Sequence, residues 1–273
     1  MACGRPGECQ IIIMKKIVLL IALLAGMHSL QAQDLSAYQK KTLVRGADTL
    51  RYRILYPENY KSSKTYPLIV FLHGAGERGT DNEAQLSHGG ALFLKDSLRK
   101  QFPAIVIFPQ CPPDSFWNRF TMQMDTTAAF NQSLNRADLT TPERLVKVLM
   151  DSLADNKIAD KKRIYIGGLS LGGFGTYDLV IHYPNYFAAA FPICGQANLQ
   201  VYMEKAAGVP VWIFHGALDN VVDPQPDRNL IKALQNAGVK NAKYTEYPNA
   251  NHNSWDSAFA EPDLLPWLFS FKK

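Results

Sequence analysis

Short apolar runs, separated by helical segments, recur along most of the chain. Residues 49–56 alternate between apolar and polar side chains and predict a strand, paired with the stretch around 42–45. A final strand is predicted at 244–247. Five other runs are nearly continuous in apolar residues, which is typical of strands buried on both faces of a parallel sheet. They lie at 68–72, 104–108, 163–167, 187–191 and 211–214.

The segments between these strands carry signals of helix starts. Pro142 stands in the first turn of a periodic run that extends to Leu153, and Asp227 is placed to cap a helix through 230–234. Residues 255–271 predict one closing helix. This alternation predicts an α/β fold with a mainly parallel central sheet flanked by helices, an antiparallel N-terminal edge and no separate lid domain. In such folds ligands bind beyond the carboxyl ends of the strands.

Composition and charge narrow the class of protein. The chain has 273 residues, of which 47% are hydrophobic and 19% charged, and its net charge is +5. These values are close to soluble globular averages and exclude disordered, collagen-like and coiled-coil chains. The basic residues form no stripe, so we expect no nucleic-acid partner. No run reaches the roughly 18 apolar residues of a membrane-spanning helix.

The N-terminus has the three-part layout of a secretory signal peptide. A basic start at 14–16 precedes the apolar run 17–26, and Ala32 offers a cleavage site. The alternative is a buried N-terminal helix. We therefore predict an upstream extension plus signal peptide at 1–32, one folded domain at 33–273, and export to the periplasm or the extracellular space, with no membrane span after the signal is removed.

Two cysteines, Cys111 and Cys194, follow the predicted leader. In an exported protein they can form a disulfide, whereas their positions after buried strands favour two small apolar side chains. Neither has the spacing of zinc ligands, and we predict no metal and no other cofactor.

The motif GLSLG at 168–172 follows a predicted strand directly and precedes a helical run. Small residues two places before and after Ser170 allow the sharp strand–turn–helix of a nucleophile elbow to close. The turn exposes Ser170 Oγ, and the helix start leaves the Leu171 N–H free to meet an oxyanion. The alternatives are an incidental serine in a Gly-rich turn or a phosphate loop, but the glycines fit neither G-x-G-x-x-G nor a P-loop.

A nucleophilic serine needs a base and an acid. His252, the last of six histidines, lies in a polar loop after the final strand and is the predicted base. Asp219 follows a buried strand by a short loop and is the predicted acid, with Asp223 in reserve. Asp223 and Asp227 are otherwise predicted as turn and cap residues, and His215 as a structural residue.

The stretch HGAGERG after strand 68–72 predicts the second oxyanion donor. Its glycines allow the backbone to turn its amides toward the site, and the Ala75 N–H joins that of Leu171 as a donor. His73 is expected to order the loop. Glu77 and Arg78 are expected either to form a local ion pair or to contact substrate.

Residues 111–140 form the longest stretch without a clear element and leave a strand at its carboxyl end. We therefore expect this stretch to overhang the pocket. Its aromatic side chains, Trp117 above all, either pack against a sugar or phenolic ring of the substrate or cover the core.

The segments that carry these candidates are LHGAGERGTDN (72–82), PQCP (109–112), GGLSLGGFGTY (167–177), FHGALDNVV (214–222) and NHNSW (251–255). Together they resemble α/β-hydrolase-fold serine esterases, most closely the secreted bacterial branch of predicted peptidases or phospholipase/carboxylesterase-like proteins. That branch is related to polyhydroxybutyrate-depolymerase-like, feruloyl and acetylxylan esterases. The resemblance spans about 66–271 and implies a Ser170–Asp219–His252 triad with Ala75 and Leu171 as oxyanion donors. It departs at Asp223, where relatives often have Pro directly after the Val pair. This departure leaves Asp219 as the predicted acid and concerns only the neighbouring loop.

The resemblance implies a secreted serine hydrolase that cleaves carboxylic esters through an acyl-enzyme. The expected substrates are acyl or feruloyl esters of plant polysaccharides, with Trp117, Glu77 and Arg78 as candidate contacts. Two alternatives are a serine peptidase of the prolyl-oligopeptidase-like type and a non-catalytic carbohydrate-binding protein on a hydrolase scaffold. An ester substrate is the expected partner, and no oligomeric state follows from the sequence.

Overall fold

Eight strands form one sheet in a computed structural model that describes residues 34–118 and 138–273. They are β1 (Gln39–Arg45), β2 (Asp48–Leu55), β3 (Tyr66–Leu72), β4 (Ile105–Gln110), β5 (Ala159–Leu169), β6 (Ala189–Ile193), β7 (Val211–Gly216) and β8 (Ala242–Tyr247). Their order is β1-β2-β4-β3-β5-β6-β7-β8. β2 pairs antiparallel with β1 and β4, and every other pair of neighbours is parallel. The predicted fold class, a mainly parallel sheet with an antiparallel N-terminal edge, is confirmed.

Helices connect and cover the strands. They are α1 (Asp96–Gln101), α2 (Thr141–Asp155), α3 (Leu171–His182), α4 (Leu199–Lys205), α5 (Gln225–Asn236), α6 (Trp255–Ala260) and α7 (Leu264–Phe269). Helix α2 begins where the sequence predicts, with Pro142 in its first turn. The Glu143 N–H donates to Thr140 Oγ1, and the Thr140 N–H donates to Glu143 Oε2, which forms a capping box.

The C-terminal segment forms two short helices, so the prediction of one helix over 255–271 is wrong. Helix α6 ends at Ala260 and α7 begins at Leu264. Pro262 lies between them, and the residue before it, Glu261, has an extended ψ of 112°. Proline disfavours the helical conformation in the residue that precedes it, which explains the break.

The sheet is buried on both faces, which explains the near-continuous apolar runs. On β3, Val70 belongs to the hydrophobic cluster that includes Val146 of α2, and the next residue, Phe71, belongs to a second cluster with Leu268 of α7. Leu35–Lys273 form one compact unit. Since the carboxyl ends of parallel strands meet at one edge, the loops after β3, β5, β7 and β8 leave the sheet together.

The predicted signal peptide and the stretch 119–137 lie outside the described residues. Among the residues that are described, no helix combines the length and apolarity needed to cross a membrane. Cys111 and Cys194 are buried free thiols, so the disulfide alternative is wrong and the apolar one is correct. Burial raises the pKa of the Cys111 thiol to about 12.

Candidate active site

A sharp turn between β5 and α3 holds Ser170. Its backbone has φ 51° and ψ −117°, a conformation that residues with a side chain rarely adopt. The turn closes only because its neighbours are small: a Cβ on Gly172 would lie 1.9 Å from the Leu72 carbonyl oxygen, and one on Gly168 would lie 2.3 Å from the Gly172 carbonyl oxygen. The Ser170 N–H donates to the Ile193 carbonyl at 2.9 Å. The strained turn is thus anchored to the neighbouring strand.

Three residues from separate loops meet at this turn. His252 Nε2 lies 2.9 Å from Ser170 Oγ, and His252 Nδ1 lies 2.8 Å from Asp219 Oδ2. An ionised carboxylate only accepts hydrogen bonds, so Nδ1 carries the proton and Nε2 presents its lone pair to the serine hydroxyl. The structure therefore brings Ser170, His252 and Asp219 into one hydrogen-bonded chain, in the order that a general base requires.

The Asp219 carboxylate is held by more than the histidine. Its Oδ1 accepts the N–H groups of Val221 and Val222, each at 2.9 Å. Burial raises the pKa of this carboxyl. The hydrogen bonds from His252 and from the two amides lower the pKa by more than burial raises it, so the net pKa is below its ordinary value. On the facing loop, Asn251 Oδ1 accepts the His252 N–H at 2.7 Å. Both loops are therefore fixed around an ionised Asp219.

His73 orders the loop after β3, as the sequence predicts. The Cys111 N–H donates to His73 Nε2 at 2.9 Å, so the proton lies on Nδ1, which donates to the Gly74 carbonyl at 2.6 Å. Because the peptide is planar and trans, fixing the Gly74 carbonyl also fixes the direction of the Ala75 N–H on the opposite side. The second candidate donor, Leu171, is the first residue of α3, where a backbone N–H has no partner within the helix.

Trp117 has an exposed fraction of 0% and belongs to the core, which corrects the alternative in which it contacts substrate. Its Nε1–H donates to the His73 carbonyl at 3.0 Å, and its ring meets the His73 ring edge-on at 5.2 Å. Trp117 therefore supports the loop that carries Ala75. Of the aromatic residues described in this stretch, the half-buried Phe116 is nearer the surface, and its centroid lies 4.5 Å from the Arg78 guanidinium carbon.

Glu77 and Arg78 do not form the expected ion pair with each other. Arg78 instead donates to the carbonyl groups of Ala75 at 3.0 Å and Ser115 at 3.3 Å, which ties two loops together. Glu77 Oε1 lies 3.6 Å from His88 Nε2. Arg78 is thus occupied by backbone acceptors, whereas the Glu77 carboxylate faces an imidazole.

A row of polar and aromatic side chains connects Glu77 to His252. The His88 and Trp255 rings lie 5.1 Å apart, and the Trp255 ring meets the His252 ring edge-on at 5.5 Å. We call Glu77, His88 and Trp255 the polar–aromatic wall. Sequence reasoning missed His88 and Trp255 as site residues, although Trp255 ends the NHNSW motif.

The two remaining aspartates of the β7 loop differ from each other. Asp223 Oδ1 accepts the Gln225 N–H at 2.9 Å, which is the predicted turn role. Asp227 is not a helix cap, because α5 begins two residues earlier and the Asp227 side chain is buried. It is hydrogen-bonded to His215, which has the structural position that the sequence predicts.

Cys194, Asp219 and His252 each place one potential metal ligand within 4.8 Å of the others. Asp219 and His252 are already joined by a hydrogen bond, and burial raises the pKa of the Cys194 thiol. A cation bound here would have to displace both the thiol proton and the proton that His252 donates to Asp219.

The sheet, the elbow at Ser170 and the loops at the carboxyl edge define an α/β-hydrolase fold. The chain belongs to the Phospholipase/Carboxylesterase family, whose model matches residues 59–261.

Three known proteins are similar to the chain. A thermostable esterase of solved structure is 32% identical with a TM-score of 0.78, covering 88% of this chain and 64% of that one. A bifunctional acetylxylan esterase/xylanase of Neocallimastix patriciarum is 29% identical over 118 residues, 40% of this chain and 17% of that protein. A ferulic acid esterase from Anaeromyces mucronatus shares the fold, with a TM-score of 0.59 at 14% identity over 84% of this chain and 89% of that one. The chain thus spans less than two thirds of the first two proteins.

Proposed function

We propose that Ser170, His252 and Asp219 are a catalytic triad for the hydrolysis of carboxylic esters. The observation that carries the proposal is the continuous chain of hydrogen bonds, 2.9 Å from Ser170 to His252 and 2.8 Å from His252 to Asp219. Ser170 Oγ attacks the ester carbonyl while His252 Nε2 takes its proton. His252 then protonates the departing alcohol and leaves an acyl-enzyme. Water, activated by the same imidazole, attacks the acyl group, releases the acid and restores the serine hydroxyl.

The N–H groups of Ala75 and Leu171 stabilise the oxyanion in this proposal. The Ala75 N–H is directed by the Gly74 carbonyl, which His73 holds at 2.6 Å. Leu171 contributes the N-terminal end of α3, where the helix dipole favours negative charge. Both donors are fixed before substrate binds, and such preorganised donors cost no rearrangement during the reaction.

We infer that the natural substrates are acyl or feruloyl esters whose alcohol is a sugar of a plant polysaccharide. The acetylxylan and ferulic acid esterase relatives support this class of substrate. The polar–aromatic wall supports it independently, because it lies beside His252, which protonates the leaving alcohol. Among the described residues no hydrogen bond to the Glu77 carboxylate is formed, and the His88 imidazole lies 3.6 Å from it. Glu77 is therefore available to accept a sugar hydroxyl, with Trp255 as an apolar surface for the ring.

We further propose that the protein is exported after cleavage near Ala32. The layout of the N-terminal residues supports this step. The mass of the protein recovered outside the cytoplasm tests it: the expected chain begins at or near Gln33, and a chain that retains 1–32 contradicts it.

The experiment that tests the function compares four substrates: acetylated xylan, methyl ferulate, p-nitrophenyl acetate and an aminoacyl naphthylamide. We expect ester turnover by the wild type and its loss in Ser170→Ala, which keeps the fold. Preferential cleavage of the naphthylamide would favour the peptidase alternative.

The Glu77→Gln variant tests the sugar side of the site. It keeps the size of the side chain and removes the charge. We expect a KM that rises severalfold for acetylated xylan fragments and is unchanged for p-nitrophenyl acetate. An equal change for both substrates would remove Glu77 from sugar recognition.

A further inference from the structure

A second buried chain of hydrogen bonds lies behind the carboxylate of Asp219. It begins at His215, the second-to-last residue of β7. The exposed fraction of His215 is 0%. His215 Nδ1 lies 2.7 Å from Asp227 Oδ2, and the Tyr177 hydroxyl donates to Asp227 Oδ1 at 2.8 Å. Strand β7, helix α5 and helix α3 thus each contribute one polar side chain to a core position where apolar residues would be the ordinary choice.

The other nitrogen of His215 faces the candidate triad. Nε2 lies 3.1 Å from the Val222 carbonyl oxygen and 3.3 Å from Asp219 Oδ2. A backbone carbonyl only accepts, so Nε2 carries a hydrogen and donates it. The hydrogen bond of this N–H goes to the Val222 carbonyl, and Asp219 Oδ2, the oxygen that accepts from His252, lies beside it as an electrostatic contact.

Val222 links His215 to Asp219 a second time. Its carbonyl accepts from His215 Nε2, while its N–H donates to Asp219 Oδ1 at 2.9 Å. A shift of the His215 ring therefore changes the electrostatic contact with Oδ2 and moves Oδ1 through the Val222 backbone. Burial lowers the pKa of His215, but the hydrogen bond and charge of Asp227 raise it more, so its net pKa is above the ordinary value. Nδ1 is thus able to donate to Asp227 while Nε2 donates to the Val222 carbonyl beside Asp219.

We propose that His215 is a positioning residue that acts through Asp219, holding the carboxylate turned toward His252, and that Asp227 and Tyr177 hold the His215 ring for this task. The inference rests on the proposed triad. It assigns a purpose to three buried polar side chains that make no contact with Ser170, and it extends the machinery from the loop of Asp219 into the core between β7, α3 and α5.

A matched pair of amide variants tests the proposal. In His215→Gln the side-chain amide nitrogen occupies the position of Nε2 and is able to donate to the Val222 carbonyl. In His215→Asn the shorter side chain places its amide nitrogen at the position of Nδ1 only. We expect the kcat for p-nitrophenyl acetate to fall by up to about 10-fold in His215→Asn, the size of one lost hydrogen bond to the Val222 carbonyl. His215→Gln should retain several times more activity, and KM should be unchanged in both. Equal kcat in the two variants, or a kcat ranking that follows their Tm values, overturns the proposal.

Tyr177→Phe provides a test that leaves His215 in place. It removes one hydroxyl and keeps the ring, so it remains informative where a His215 variant does not fold. We expect a kcat a few-fold lower at constant KM, and a wild-type kcat overturns the proposal. Failure of the triad itself is distinguishable, because it shows as turnover that survives Ser170→Ala, whereas failure of the His215 role leaves the Ser170→Ala loss intact.

Discussion

His73 should make the folded protein less stable in mild acid. Its ring is buried and hydrogen-bonded at both nitrogens, to the Cys111 N–H and the Gly74 carbonyl. Burial lowers the pKa of His73 from an ordinary value of 6.5 to about 4. Because the unfolded chain binds the proton more tightly than the folded chain, the stability from the neutral ring is complete above pH 6.5 and is lost as the pH falls toward 4.

The size of the effect follows from the shift in pKa. Each unit is worth about 1.4 kcal/mol, so the fall from 6.5 to about 4 corresponds to about 3 kcal/mol. The assay is urea unfolding of the wild type and of His73→Gln between pH 7.5 and pH 4. The glutamine does not titrate, and its amide oxygen is able to accept the Cys111 N–H. Other titrating groups contribute equally to both proteins, so the difference between the two free energies of unfolding isolates His73.

We expect the wild type to lose about 3 kcal/mol relative to His73→Gln over this pH range. A difference that is constant with pH would rule out this effect, because it would mean that the ring titrates in the folded protein as it does in the unfolded chain. A difference that grows toward acid in favour of the wild type would reverse the sign of the argument and place a proton on the folded imidazole.

Three further predictions concern the elbow, the thiols and Trp117. In Gly172→Ala the added Cβ would lie 1.9 Å from the Leu72 carbonyl oxygen, so we expect a loss on the order of 3 kcal/mol or more in thermal unfolding; a Tm within a few degrees of wild type would contradict this. Cys111 and Cys194 should resist alkylation in the folded protein and both react in denaturant without a reductant, as peptide mapping would show; a failure to react in denaturant would indicate a disulfide. Trp117→Phe should lower the free energy of unfolding by about 1 kcal/mol or more, from the hydrogen bond lost at the His73 carbonyl, and leave KM unchanged. A raised KM at wild-type stability would instead make Trp117 a substrate contact.

Much of the fold is readable in the sequence, because strands buried on both faces must be apolar along their whole length. The run at 68–72 therefore marked most of β3, and the alternation at 49–56 marked β2, the strand next to the N-terminal edge. The prediction of a single C-terminal helix was wrong because the apolar pattern continues through Pro262, whereas the helical backbone is interrupted at Glu261.

The candidate site is readable only in part. Ser170 and His252 carry local signals, a glycine-flanked turn and a polar loop after the last strand. Trp117 carries none: its burial depends on contacts with His73, which lies 44 residues away in the chain. Asp227 has the sequence of a helix-start residue, and only the tertiary contact with His215 shows that it belongs to a buried chain. The spacing of residues along the sequence does not predict which distant residues meet in the core.

The most direct test of the account is the identity of the nucleophile. Wild-type protein treated with a fluorophosphonate probe should gain the mass of one adduct, and peptide mapping should place that adduct on Ser170. The reason is that Ser170 Oγ lies 2.9 Å from His252 Nε2, the base that activates it. Ser170→Ala of equal Tm should gain none. An adduct on another residue, or an unlabelled wild type that still hydrolyses p-nitrophenyl acetate, would contradict the proposal that Ser170 forms the acyl-enzyme.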